Sequence, residues 1–161
     1  MSQADPEVTR DNPRSTATIG GHPIHPMLIP FPIAFLVGAF VTDILFLRDG
    51  SEGFANASQW LLGAGILTAL LAAAFGLIDF MGSDRIRRLN HAVQHMIANV
   101  TAVVVAIINF AIRMGNETAN VDSLGIYLSG ATVLILLFSG WRGGDLVYVH
   151  RIGVHEHGSR P

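Results

Sequence analysis

Four apolar runs, each about as long as a hydrocarbon core is thick, confine this chain to one kind of fold. They cover about 27–47, 60–80, 89–114 and 123–140, against the roughly 17–25 residues a helix needs to cross a bilayer. Half of the residues are hydrophobic and only 14% are charged, well below the quarter or so usual in a soluble domain. A soluble fold would have to hide four wholly apolar helices in a domain too small to cover them. The expected fold is all-α, an integral membrane four-helix bundle in which short loops make successive helices antiparallel neighbours. Residues 1–19 read as a disordered cytoplasmic lead-in with no apolar signal stretch. Residues 20–154 read as the membrane domain, and 155–161 as a flexible tail.

The basic residues orient the bundle. Lysine is absent, and all ten basic side chains are arginines. Arg10, Arg14, Arg85, Arg87, Arg88, Arg142, Arg151 and Arg160 fall on one side of a four-span topology, and only Arg48 and Arg113 on the other. The excess of arginine marks the cytoplasmic side, so both termini are expected there. The bilayer is then the first partner, and a net charge of −2 gives no reason to expect nucleic acid. Cysteine is absent too, which excludes thiolate metal sites, iron–sulfur clusters and covalently attached haem.

This topology puts every histidine on the cytoplasmic side. His22 and His25 precede the first span, His91 and His95 open the third, and His150, His155 and His157 follow the fourth. Along the third span, at about 100° per residue, His91, His95, Asn99, Asn109 and Arg113 share a stripe with Ala98, Ala102 and Ala106. Val93, Ile97, Val100, Val104 and Ile107 fall on the opposite side. Small and polar residues suit helix contacts, while large apolar ones suit lipid, so His91 and His95 should face the bundle. Ionisable groups inside a membrane are costly and mark functional candidates.

Comparable rows run along the other spans. Gly65, Ala69, Ala72, Gly76 and Asp79 share a face of the second, and Gly125, Ser129, Thr132 and Ser139 one of the fourth. Ala34, Gly38 and Thr42 form a row on the first, with Asp43 near its outer end. Asp79 could cap its helix against Arg85 or Arg88, or it could orient a neighbouring histidine.

Before the first span, Pro30 and Pro32 cannot both lie deep inside a helix, because each lacks an N–H and pushes its predecessor toward extended geometry. Pro26 could start a helix, but residues 22 to about 29 should be extended or irregular, with regular helix starting near Pro30–Pro32. Irregular backbone at membrane depth needs protein cover, so this segment should tuck under the bundle and carry His22 and His25 toward His91 and His95. After the fourth span, Trp141 and Tyr148 suit the headgroup level. Gly143–Gly144 permit a sharp turn or a close backbone approach, and a fold-back there would bring Tyr148 and His150 to the same mouth.

The stretches HPIHPMLIPFPIAFLVGAFVTDILF, RRLNHAVQH and SGWRGGDLVYVHRIGV together resemble a bacterial four-span membrane family of unknown function, DUF2231, over about residues 20–154. The resemblance carries over His22, His25, His91, Trp141, Gly143, Gly144, Tyr148 and His150; the terminal HEH is outside its pattern. It implies a multi-pass protein of the bacterial inner membrane. Relatives are similar to domains beside cytochrome and Rieske-type modules, and by that analogy the family points to redox work.

Three functions compete. The first is non-covalent haem b for membrane electron transfer, with His25 and His95 as the first pair of axial ligands. His22 and His91 are alternates or a second site, His150 and Asp79 complete the cofactor-binding set, and Arg88 with Arg87 and Arg151 meets the propionates. A redox protein or a quinone would then be the partner. The second is a Zn, Cu or Fe site for binding or transport, built from the same histidines and Asp79. Asn99, Asn109, Asp43 and Arg113 would give it a partial polar ladder. The third is an assembly subunit whose histidines only cap and pack, with a homo-oligomer left open. No nucleophile–base arrangement or phosphate loop is present, so no catalytic residue is assigned.

Overall fold

A computed structural model of the chain describes residues 15–116 and 121–154. It begins with a two-stranded hairpin, β1 (Thr18–Ile19) against β2 (His22–Pro23). The register pairs Thr18 with Pro23 and Ile19 with His22. Gly20 and Gly21 make the turn, with φ of 55° and 81°, a pair of left-handed conformations that glycine adopts without penalty. A one-turn helix, α1 (Ile24–Leu28), leads into α2 (Pro30–Asp49).

Regular helix resumes at Pro30, as the prolines predict, but the extended segment before it is shorter than expected. Pro26 lies in the first turn of α1, where the missing N–H has no intrahelical partner to lose. Pro30 and Pro32 cannot donate to the preceding turn, and this separates α1 from α2.

Gly50 ends α2 in the left-handed region, with φ of 72° and its N–H on the Phe46 carbonyl, a glycine stop for the helix. The chain then reverses within two residues into α3 (Glu52–Gly82). This helix starts eight residues before the apolar window, since Ala55 and Ser58 continue its buried face. A short helix, α4 (Asp84–Arg87), connects it to α5 (Asn90–Arg113). The last span begins as a π-helical turn, Val121–Gly125, continues as α6 (Ile126–Gly144), and ends in a second π-helical turn, Asp145–Val149.

Four segments are long and apolar enough to cross a membrane: Ile24–Asp49, Glu52–Gly82, Asn90–Arg113 and Val121–Val149. The fourth is therefore not the shortest. Gly143 and Gly144 do not make a sharp turn, and Gly144 keeps helical angles of −58° and −45°. The chain reverses later, at Arg151 and Gly153, with φ of 52° and 73°.

Packing follows the small-residue faces. Ala98, Ala102 and Ala106 of α5 and Ser129, Thr132 and Ser139 of α6 are buried. Large apolar side chains such as Leu67, Val100, Ile107 and Leu134 point outward. Leu36, Ala39, Leu62 and Ala106 form the central apolar cluster.

On α2 the reading is displaced by one helical row. The buried residues are Pro32, Leu36, Ala39 and Asp43, and Ala34 is exposed. Leu36 takes the inward place because glycine faces it. A Cβ on Gly65 of α3 would lie 2.7 Å from a Leu36 methyl.

Candidate functional site: paired histidines at one end of the bundle

His25 on α1 and His95 on α5 meet with ring centroids 6.2 Å apart and planes at 85°. Each ring is fixed in the same way. His25 Nδ1 lies 2.7 Å from the Ala72 carbonyl, and His95 Nδ1 lies 2.8 Å from the Ser139 carbonyl. A carbonyl only accepts, so in both rings Nδ1 carries the proton and Nε2 holds the lone pair. The acceptors sit inside helices, where a side chain four residues on would normally cover the carbonyl oxygen. Here those residues are Gly76 and Gly143. A Cβ at Gly76 would stand 2.9 Å from the His25 ring, and one at Gly143 would stand 3.0 Å from His95. The close-approach role expected of Gly143 is thus met, and its partner is an imidazole.

The two Nε2 atoms differ. His95 Nε2 accepts from Asn99 Nδ2 at 3.0 Å, and the same Nδ2 donates to the His95 backbone carbonyl at 2.9 Å. Ser139 Oγ also lies 3.0 Å from His95 Nδ1.

A second pair stands at the same end. His150 Nε2 and His91 Nδ1 are 3.1 Å apart, with centroids separated by 5.2 Å. Asp145 lies 3.8 Å from His91 Nδ1 and 3.3 Å from Arg142 Nη1. The reversal at Arg151–Gly153 seats Gly153 against Pro23. His150 follows directly on the π-helical turn, before that reversal, and meets His91 there, while Tyr148 stays exposed.

Three candidates are placed elsewhere. His22 is exposed and bonds within its own turn, Nδ1 to the Gly20 carbonyl at 3.0 Å. Arg88 is exposed at the end of α4. Among the described residues, Asp79 shows no hydrogen bond or ion pair to an arginine or a histidine. Its Oδ1 accepts from Ser15 Oγ at 2.8 Å, Thr16 N at 2.7 Å and Ala17 N at 2.8 Å. Residues 15–19, which composition places in the lead-in, are held there because a carboxylate satisfies their backbone donors. His155 and His157 lie outside the described residues. Among the described residues, no three His, Asp or Glu side chains come together as a metal-binding group.

The opposite end holds a constellation that pattern reading did not assemble. Arg113 and Asp43 are completely buried and joined in bidentate fashion, Nη1 to Oδ1 at 2.7 Å and Nη2 to Oδ2 at 2.8 Å. Ser58, Ser129 and Asn109 take the other three guanidinium donors. Ser129 Oγ donates to Asp43 Oδ2 at 2.6 Å. All four spans contribute, and every Arg113 donor is used.

Adding one methyl at either glycine tests how the imidazoles are seated. Gly76→Ala or Gly143→Ala should cost about 1–3 kcal/mol as an overpacked contact. Each should also move the imidazole ¹⁵N resonance of the histidine above it, and only that one. Thermal unfolding in detergent and histidine-labelled NMR read the two effects.

A family model described as a predicted membrane protein, DUF2231, matches residues 21–156. No curated protein and no solved structure matches significantly. The match spans all four membrane helices and both histidine pairs, and the chain belongs to the DUF2231 family of predicted membrane proteins.

Proposed function

We propose that this protein binds haem b between His25 and His95 and serves membrane electron transfer. It would sit in the bacterial inner membrane with the histidine end on the cytoplasmic side. One observation carries the reading: two imidazoles from separate elements meet edge-on, and both are held in the tautomer that puts the lone pair on Nε2. Metal-ligating histidines are fixed in this way by a partner on the other nitrogen.

The number of ligands decides between a haem and a bare ion. A porphyrin brings four nitrogens of its own and asks the protein for two imidazoles. Zinc sites use three or four protein ligands. Asn99 would have to release His95 Nε2, and it retains the His95 carbonyl as partner when it does. Orientation rests on arginine. Arg85, Arg87, Arg88 and Arg151 are exposed near the histidine end, against Arg48 alone at the other, the asymmetry of a cytoplasmic face.

The contact of Asn99 with His95 Nε2 also favours a second reading, an assembly subunit whose imidazoles close the helix ends. A visible spectrum of the detergent-purified protein, before and after dithionite, separates the two. Haem gives Soret and α bands that disappear in His25→Ala and His95→Ala and persist in His22→Ala. A colourless protein, or bands that survive both of the first substitutions, overturns the haem reading.

A further inference from the structure

We infer that the membrane domain is one transmembrane hairpin present twice, and that His25 and His95 are the equivalent halves of a single site on the two-fold axis between the copies. The buried positions of α2, namely Pro32, Leu36, Ala39 and Asp43, recur seventy residues later as Ala102, Ala106, Asn109 and Arg113 on α5. All four are buried again. The same offset turns His25 into His95. On the second helix of each hairpin the offset is sixty-seven. Ser58, Leu62, Gly65 and Ala72 become Gly125, Ser129, Thr132 and Ser139, and again all are buried.

Any antiparallel bundle can match one helical face to another by sliding. Here the two offsets also match features that burial does not require. Ala72 and Ser139 are the two carbonyls that receive the imidazoles, and Gly76 and Gly143 are the two glycines beneath them. Trp60 becomes Tyr127, both highly exposed, as aromatic anchors at a membrane surface are.

The equivalent residues meet in pairs, His25 with His95 and Asp43 with Arg113. One pair marks each end, so α2 and α5 run in the same direction, and the axis relating the hairpins lies along the membrane normal. Parallel repeats of this kind occur in membrane proteins. In a dimer of identical hairpins, the position of Asp43 would face its own copy and set like charges together. A single chain lets one copy carry aspartate and the other arginine.

The half-sites match except beside Nε2, where Asn99 corresponds to Ile29. A ligand on the axis would take one imidazole from each copy, which suits a metal centre with two imidazole ligands. This part rests on the haem reading proposed above.

Two measurements on the full-length protein test it. The chain has no cysteine, so nitroxide pairs can be introduced directly at lipid-facing positions. The pairs Val41 with Leu134 and Ala111 with Leu67 are equivalent under the two offsets, and their distances should coincide. A difference larger than about 5 Å, one helical turn, overturns the repeat. In haemin titration, His25→Ala and His95→Ala should each lose affinity at least tenfold. One variant binding like the parent overturns the composite site. A parent protein that binds no haemin overturns the haem reading and the composite site together, while the two distances still decide the repeat.

Discussion

Replacing Arg113 with leucine should lower the free energy of unfolding by about 3–5 kcal/mol, the cost of leaving one member of a buried ion pair alone. Asp43 would keep a carboxylate in a place with no water, facing only the Ser129 hydroxyl. Asp43→Leu should cost a similar amount, because a guanidinium with five satisfied donors would lose both of its carboxylate bonds. The double substitution Asp43→Leu with Arg113→Leu should recover most of the loss, since well-packed apolar residues often replace a buried pair at little net cost. Arg113→Lys should fall between, because an ammonium has three donors and cannot fork across a carboxylate. Denaturant titration in detergent, followed by circular dichroism, reads all four variants. A single leucine variant as stable as the parent would sink the account of this network as the staple of the four spans.

That network shows where sequence reading reaches and where it stops. The inward stripe of α5 already contained Asn109 and Arg113, and Asp43 was placed near the outer end of the first span. Both charges are legible, and the partial polar ladder groups them with Asn99 and Asn109, but nothing in that ladder marks them as an ion pair. Their equal depth, each near the outer end of its span, is the available signal. Four uninterrupted apolar runs gave the fold, and the alanine face of α5 gave its packing side, because a lipid-facing helix must segregate large from small residues.

The weak periodicity of α2 hid its buried face. Apolar residues surround that helix, so only the cleft opposite Gly65 decides that Leu36 points inward. Among the histidines, His25 and His95 were paired in advance from depth and face. Their carbonyl acceptors were not foreseeable, since a helical carbonyl becomes available only where the residue four positions on lacks a side chain, as at Gly76 and Gly143. His150 reaches the expected mouth, but by helical continuation and not by a fold-back at the glycines, and Tyr148 does not join it. Two glycines in a row permit a turn without requiring one, and helical packing carried the chain through them.

Asp79 leads to the second large expectation. One carboxylate oxygen accepts from Ser15 Oγ and from the backbone N–H of Thr16 and Ala17, and the Ala17 carbonyl accepts from Ile24 N at 3.0 Å. The chain from Ser15 to the start of α1 is thus clipped to the end of α3 by one side chain. Hydrogen bonds to a charged group contribute about 1.5–3 kcal/mol each, and exposure of Thr16 reduces the sum through solvent competition. Asp79→Ala should therefore release the segment at roughly 2–4 kcal/mol of local stability, which is about 30- to 1,000-fold faster amide exchange over residues 16–19. Asp79→Asn keeps an acceptor oxygen without its charge and should show a smaller rise. Global unfolding should hardly change, because no membrane span depends on the clip. The His25 resonance should stay in place as well, since Ala72 and Gly76 fix that ring from α3. Hydrogen exchange measured beside histidine NMR on the same variant decides the matter: unchanged protection over residues 16–19 removes Asp79 as the clip, and a shifted His25 would mean that the hairpin, and not α3, sets the position of the ring.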